Sequence, residues 1–279
     1  MSVRDRPPSP EPLPRPVVDT HCHLDIGRDE GAGPVPVEQA LAEAAAVGVE
    51  RVVQIGCDLA GARWAVEVAA THGPVVAGVA LHPTEATRHA DEGTLEQALA
   101  QVRRLAARPE VRAVGETGLD HYWVGPEGRP AQEQSFRAHA ALARELGKAL
   151  VIHDRDAHAD VVRVLEDAGP PETVVFHCFS GDAAMARYCV ERGWYLSFAG
   201  PVTFRNAGPL REALAQVPLD RVLVETDAPY LTPHPYRGRP NGPYLLPYTV
   251  RAVAEVLGRD LAEVCAAVTA NALRVFSPW

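Results

Sequence analysis

The sequence lacks long apolar runs and has a deficit of positive charge. No stretch approaches the roughly 20 apolar residues that a membrane-spanning helix needs, and the start of the chain lacks the apolar segment of a secretory signal. We therefore expect a cytoplasmic protein that does not enter a membrane. The net charge of −9 disfavours broad adhesion to nucleic acid, which depends on a surplus of Lys and Arg. It does not exclude a nucleic acid end that enters a metal-lined pocket.

Several chemical signatures are also missing. The five cysteines are scattered and include no CxxC pair, which indicates reduced thiols rather than disulfides or a structural zinc cluster. No GxGxxG or GxxxxGK[ST] loop follows the first predicted strand, which disfavours nucleotide binding. A GxSxG motif, which would place a serine nucleophile, is absent as well.

The first segment differs in composition from the rest of the chain. Met1 to Pro16 alternates proline with charged and small residues, which bury too little apolar surface to offset the entropy lost on ordering. We predict a disordered, proline-rich tail over residues 1–16. Residues 17–279, in a chain that is 47% hydrophobic, are enough for one large globular domain.

After the tail, short β-branched runs alternate with segments of helical period, the pattern of repeated βα units on a parallel sheet. Eight strands are predicted, the number in a TIM barrel: Val17–His23, Arg51–Cys57, Val75–Leu81, Val111–Gly115, Ala149–His153, Thr173–Cys178, Tyr195–Phe198 and Val222–Thr226. The helical candidates include seven segments: Val37–Gly48, Gly61–His72, Thr94–Arg108, Gln132–Leu146, Asp156–Ala168, Asp182–Arg192 and Leu261–Phe276. A doubly wound open sheet shows the same alternation.

Metal-ligating residue types lie at the ends of five predicted strands and favour the barrel, where such ends converge. His21 and His23 fall on one face of the first strand because side chains alternate along a strand. An imidazole or a carboxylate then ends strands four, five, six and eight: Glu116, His153, His177 and Asp227. Ordinary buried histidines and loop acids are the alternative, but they would have to coincide at five strand ends. Mixed ligands of this kind suit zinc, manganese, iron or nickel.

A carboxylate that bridges can hold two such ions at the roughly 3.5–4 Å spacing of two-metal sites. Barrel hydrolases often use a carbamylated lysine as the bridge, but the single lysine, Lys148, lies at the entry to the fifth strand, at the wrong end. Glu116 is therefore the candidate bridge. Two cations would activate water, and Asp227 is the candidate proton acceptor.

Five segments, DTHCHLD, GETGLD, IHDRDA, HCFSG and ETDAPYL, resemble in order and spacing the signature segments of the TatD-related hydrolases. The resemblance extends from about Val17 to Phe276. It implies a single-domain TIM-like (β/α)8 barrel with the metal site at the carboxyl ends of the strands. It also implies a metal-dependent deoxyribonuclease, a 3′–5′ exonuclease type that uses magnesium or manganese.

The resemblance also divides the ligands between two divalent cations. His21, His23, Glu116 and Asp227 would hold one ion, and Glu116, His153 and His177 would hold the other. The expected cations are magnesium, manganese or zinc, the expected substrates are nucleic acid ends or small phosphodiesters and esters, and a monomer or weak oligomer is expected. Two positions depart from the family pattern and bear on substrate preference: His121 and Gly242.

Substrate contacts are predicted at the rim of the barrel. His82 ends the third strand and is a candidate phosphate or substrate contact. Four arginines in predicted loops can clamp a phosphate through their guanidinium forks, with solvated surface side chains as the alternative: Arg155, Arg205, Arg237 and Arg239.

Two other functions compete with the nuclease. A two-metal centre can also hydrolyse amide, ester or lactone bonds, for example as a D-aminoacyl-tRNA deacylase, and the acidic charge balance favours a small substrate. The last alternative is a barrel that binds metal without catalysis, which would require a damaged ligand set. No predicted ligand is missing from the sequence.

Overall fold

A computed structural model describes residues 6–27 and 34–279 of the protein. Eight parallel strands form one sheet in which they follow one another in chain order. The strands are β1 (Val17–Cys22), β2 (Val49–Gly56), β3 (Val75–Val79), β4 (Val111–Asp120), β5 (Ala149–Arg155), β6 (Val174–Phe176), β7 (Tyr195–Phe198) and β8 (Val222–Val224).

Helices alternate with the strands along the chain. They are α1 (Val37–Ala45), α2 (Leu59–Thr71), α3 (Pro83–Asp91), α4 (Leu95–Ala106), α5 (Arg129–Leu146), α6 (His158–Ala168), α7 (Ala183–Glu191), α8 (Gly208–Leu214), α9 (Leu246–Leu257) and α10 (Leu261–Phe276). Within the described ranges, no helix is long and apolar enough to cross a membrane.

The last strand returns to the first. Backbone hydrogen bonds run from the His23 N–H to the carbonyl of Ala228 (2.7 Å) and from the Asp227 N–H to the carbonyl of His21 (2.9 Å). The eight strands therefore form a nearly closed barrel with alternating helices, and the predicted TIM-like (β/α)8 fold is confirmed. The doubly wound open sheet is excluded, because the strands of such a sheet are not arranged in chain order, whereas these eight strands are.

Two compact units share the described chain. One comprises the chain up to Gln54 and Gly181–Arg274, and the other comprises Ile55–Ser180 and Val275–Trp279. The first unit holds β1, most of β2, β7 and β8, and the second holds β3 to β6. The polar side chains at the carboxyl ends of β1 and β8 belong to the first unit, and those at the ends of β4, β5 and β6 belong to the second. That residues 17–279 form one domain stays a prediction.

Most strand residues are buried because both faces of the sheet are covered. All six residues of β1 and all five of β3 are buried, as is usual when helices pack on a parallel sheet. Full burial of a side chain such as Ile55 or Ile152 contributes about 1.5–3 kcal/mol to folding. This packing fixes the strands, and with them the side chains at their ends.

The N-terminal segment differs from the predicted disordered tail over the residues that the structure describes. Leu13 is buried, and its N–H donates to the carbonyl of Val47 at 3.0 Å. The guanidinium of Arg251 donates to the carbonyl of Glu11 at 2.7 Å. Hydrogen bonds donated in both directions thus attach the proline-rich backbone to the folded unit, which composition alone does not reveal. Residues 1–5 of the predicted tail lie outside the described residues.

Three helices are absent from the predicted set, namely α3, α8 and α9. Each has a proline in its first turn: Pro83, Pro209 and Pro247. Proline is tolerated there, because the first N–H groups of a helix have no partner within the helix. A prediction that treats proline as the end of a helix therefore misses helices that have a proline in their first turn.

A buried histidine on α5 makes stability depend on pH. The Nδ1 atom of His139 lies 3.0 Å from Oγ1 of Thr117 and 3.3 Å from Oγ of Ser135. Burial lowers the pKa of His139 to about 4. The unfolded chain therefore takes up this proton first as the pH falls. The stabilising effect is complete above the ordinary histidine pKa of 6.5 and is lost as the pH drops towards 4.

We expect this one side chain to reduce the free energy of unfolding by about 3 kcal/mol between neutral pH and about pH 4. Urea unfolding of the wild type and of His139→Gln across that range measures the effect, because the variant cannot take up the proton. The exposed His234→Gln is the matched control. Parallel pH profiles for the wild type and His139→Gln would contradict the prediction.

Candidate metal centre

One group of ligand-type side chains lies in the first unit, at the end of β1 and just after β8. His23 Nε2 lies 3.3 Å from Oδ1 of Asp227, and His21 Nε2 lies 3.8 Å from the same oxygen. The two imidazole rings are 5.1 Å apart, as expected for residues two apart on one face of a strand. Two imidazoles and a carboxylate therefore converge in this unit.

The buried carboxylate of Asp19 connects the two backbone segments that carry these three side chains. Asp19 accepts the Thr226 N–H at 2.9 Å and the Thr226 hydroxyl at 2.5 Å, which joins β1 to the segment after β8. Burial raises the pKa of Asp19 to about 7. Asp227, the residue after Thr226, has a φ of 52°, a left-handed conformation that aspartate tolerates better than most residues. The chain thus turns sharply where its carboxylate meets the two imidazoles.

A second group lies in the other unit, around Glu116. Oε2 of Glu116 is 2.7 Å from His177 Nε2 and 3.1 Å from His153 Nδ1. The two imidazole nitrogens are 3.4 Å apart. The other oxygen, Oε1, accepts the thiol of Cys57 at 3.1 Å. Both oxygens of this nearly buried carboxylate therefore face ligand-type atoms.

His153 has two further neighbours, Asp120 and His82. His153 Nε2 lies 3.1 Å from Oδ2 of Asp120, and the rings of His153 and His82 are 4.4 Å apart. Burial acts to lower the pKa of His153, but hydrogen bonds to Asp120 and Glu116 outweigh it and raise the pKa. Because Nε2 of His153 contacts Asp120, Nδ1 is the nitrogen of this ring that faces Glu116.

His82 is a neutral imidazole with a defined tautomer. Its Nδ1 accepts the Thr84 N–H at 3.2 Å, which caps the start of α3. Burial lowers the pKa of His82 to about 4. The proton of the neutral ring is therefore on Nε2, which can donate a hydrogen bond. A substrate role for His82 stays a prediction.

The spacing of these atoms fits divalent cations. Nitrogen and oxygen ligands at 2.0–2.2 Å from one ion lie roughly 3.0–3.4 Å from each other. The atoms around Oε2 of Glu116 are 2.7–3.4 Å apart. The ligand atoms of His21, His23 and Asp227 lie within 4.8 Å of one another. Both donor sets combine imidazole and carboxylate, a mixture that suits divalent transition metals.

Sequence reasoning misses Asp120 and Cys57 as parts of this centre. Asp120 lies four residues after Glu116, and the two-residue period of a strand places both on one face. That signal is present in the GETGLD segment, but the predicted β4 ends at Gly115, whereas the strand extends to Asp120. Cys57 directly follows β2, and no local pattern distinguishes it from a packing thiol.

The structure predicts that Asp120 orients His153. In Asp120→Asn the amide can donate to Nε2, which favours the tautomer with a proton on Nδ1 and blocks coordination there. We expect the affinity for Mn²⁺ to fall by about 10–100-fold, the usual effect of losing such a hydrogen-bond partner. Titration calorimetry measures it, with the exposed Asp160→Asn as control. Unchanged affinity in Asp120→Asn would contradict this role.

The arginines predicted to contact substrate all have exposed side chains: Arg155, Arg205, Arg237 and Arg239. The guanidinium of Arg155 stacks on Tyr122, with its carbon 4.0 Å from the ring centre. Arg237 lies 5.0 Å above the ring of Phe204. Such stacking leaves the guanidinium edges free to donate hydrogen bonds. Their contacts with substrate stay predictions.

Comparisons with known proteins identify the family of this chain. The family model described as TatD related DNase matches residues 18–277. The uncharacterized metal-dependent hydrolase TatD of Mycobacterium tuberculosis is 49% identical over 93% of this chain and 97% of its own length. The uncharacterized metal-dependent hydrolase YabD of Bacillus subtilis is 38% identical over 92% of this chain and 98% of its own length.

Solved structures show the same fold. The TatD homologue YJJV of Escherichia coli superposes with a TM-score of 0.84 at 27% identity, over 94% of this chain and 98% of that one. A hydrolase TatD family protein of Entamoeba histolytica reaches a TM-score of 0.82 at 19% identity, over 96% of this chain and 100% of that one, which bears on the fold alone. The resemblance found in the signature segments is confirmed, and the chain belongs to the TatD family of metal-dependent hydrolases.

Proposed function

We propose that this protein hydrolyses phosphodiester bonds at the ends of nucleic acid strands, as a deoxyribonuclease of the 3′–5′ exonuclease type. Its two ligand groups would serve one centre for two divalent cations, magnesium, manganese or zinc. His21, His23, Glu116 and Asp227 would hold one cation, while Glu116, His153 and His177 would hold the other.

The surroundings of Glu116 support this proposal most strongly. One of its oxygens lies within 3.1 Å of two imidazole nitrogens, and the other accepts a thiol. A carboxylate with both oxygens directed at ligand-type atoms is suited to bridge two ions. When bound, two cations supply an activated water, polarise the scissile phosphoryl group and stabilise the leaving oxygen.

The protein's own residues supply proton transfer and positioning. Asp227 remains in contact with solvent, and its carboxylate would accept the proton of the attacking water. His82, neutral with its proton on Nε2, would donate to a phosphate oxygen. Asp120 would hold the His153 ring in place. These three roles need no serine or cysteine nucleophile.

The decisive assay follows an end-labelled single-stranded DNA oligonucleotide incubated with the purified protein and magnesium, manganese or a chelator. The proposal expects metal-dependent shortening from the 3′ end, absent with Glu116→Ala and retained with the exposed Glu145→Ala. An oligonucleotide that stays intact with every metal would overturn the nuclease proposal.

A carbonyl hydrolase is the second candidate, because the same centre can attack an amide, ester or lactone. The acidic balance of the chain favours this candidate, since a net charge of −9 repels a long polyanion. Comparing hydrolysis of a nitrophenyl phosphodiester with that of a nitrophenyl ester separates the two. Faster turnover of the ester would move the proposal to aminoacyl or lactone substrates.

A further inference from the structure

Two exposed aromatic side chains lie on the loop that follows β4. Of the described large hydrophobic residues, three are exposed: Tyr122 (56%), Trp123 (65%) and Tyr230 (45%). The rings of Tyr122 and Trp123 pack edge to face with centres 4.9 Å apart. Large aromatic surface left in water next to a site is typical of surfaces that bind a ligand.

A positive charge lies directly on this aromatic pair. The guanidinium carbon of Arg155 is 4.0 Å from the ring centre of Tyr122 and 5.5 Å from that of Trp123. The backbone holds this arrangement, because Arg155 pairs with Asp120 in the β4–β5 register and its carbonyl accepts the His121 N–H at 2.9 Å. The three side chains therefore form one surface anchored to two strands.

The same loop is tied to the candidate metal centre. Oδ1 of Asp120 accepts the N–H groups of Tyr122 (3.0 Å) and Trp123 (2.7 Å), while Oδ2 contacts His153 Nε2 at 3.1 Å. One carboxylate therefore positions both a proposed metal ligand and the start of the aromatic loop. The backbone of the aromatic loop therefore lies beside a carboxylate that contacts a proposed metal ligand.

We propose that Tyr122, Trp123 and Arg155 form a stacking platform for an unpaired nucleobase of the substrate. This inference rests on the proposed function and deepens it. Every base has a flat π-face that stacks on an aromatic ring whatever its sequence, and a guanidinium complements the neighbouring phosphate. A base within a duplex is already stacked and paired, so the platform selects single-stranded ends.

Binding of a base-bearing strand and of an abasic strand of equal length tests the platform. Fluorescence anisotropy of oligothymidylate and its abasic analogue, each labelled at the 5′ end, is measured with chelator present so that no cleavage occurs. Loss of one base stack costs about 1–3 kcal/mol, so the wild type should bind the base-bearing strand about 5–150-fold more tightly. Trp123→Ala and Tyr122→Ala should reduce this ratio towards one.

Two variants act as controls. Trp123→Phe should retain most of the ratio, because it keeps a flat ring. Tyr188→Ala removes a ring from a separate guanidinium–aromatic pair, in which Arg192 lies 3.4 Å from the ring centre of Tyr188, and should leave the ratio unchanged. Equal wild-type binding of both strands, no binding of either strand, or a ratio that survives Trp123→Ala would overturn the platform.

Cleavage assays separate this inference from the proposed function. If the wild type distinguishes the two strands but no metal supports shortening, the nuclease proposal fails and the platform stands. If shortening occurs and Trp123→Ala leaves both KM and the binding ratio unchanged, the platform fails and the nuclease proposal stands.

Discussion

Replacing Glu116 by Gln is expected to reduce the kcat/KM for oligonucleotide hydrolysis by at least about 10³-fold, since metal-ion catalysis contributes several kcal/mol. The amide keeps the shape of the side chain but loses the negative charge that faces His153 and His177 at 3.1 and 2.7 Å. A neutral amide binds cations only weakly and does not offset the charge of two of them. The rate of strand shortening under saturating Mn²⁺ measures the loss.

The control for this variant is Glu145→Gln, which removes an exposed carboxylate paired with Arg103 and should leave the rate unchanged. Thermal unfolding in chelator checks that the Glu116 variant folds. A Glu116→Gln protein that binds two metal ions per chain and retains wild-type turnover would contradict the bridging role.

Replacing Asp227 by Asn is expected to reduce kcat by about 10²–10⁴-fold, the usual contribution of a general base. The carboxylate has two proposed roles, since it lies beside His21 and His23 as a candidate ligand and would also accept the proton of the attacking water. The amide can still coordinate weakly through oxygen, but it cannot accept a proton near neutral pH. Single-turnover cleavage across a range of Mn²⁺ concentrations measures both effects.

The metal titration separates the two roles of Asp227. If the side chain is only a ligand, a higher Mn²⁺ concentration restores the rate. If it is also the base, the rate stays low when the site is saturated. Asp220→Asn, an exposed carboxylate before β8, is the matched control and should behave as the wild type. Full recovery of Asp227→Asn at high Mn²⁺ would contradict the base role.

The barrel can be predicted from the sequence because apolar strand runs are local signals. All eight strands are predicted, since each is a short β-branched run between turn residues. Helices with a proline in their first turn, such as α9, escape prediction because their first residues resemble a helix end. The packing of Leu13 also escapes prediction, since it depends on a hydrogen bond to the distant Val47 carbonyl.

The candidate centre is predictable where residue type and strand period coincide, as for His21 and His23. Asp120 escapes prediction because the sequence underestimates the length of β4 by five residues, from Gly115 to Asp120. The stacking of Arg155 on Tyr122 cannot be predicted, because it depends on the path of the loop after β4. Ligands are thus predictable where residue type and strand period coincide, whereas the full length of a strand and the contacts of a loop require the folded chain.

A two-metal centre bridged by Glu116 would be visible in an anomalous-difference map from crystals of the protein grown with Mn²⁺. We expect two peaks roughly 3.5–4 Å apart, with Glu116 between them. His21, His23 and Asp227 should surround one peak, and His153 and His177 the other. A single peak, or two peaks without Glu116 in common, would contradict the bridged centre.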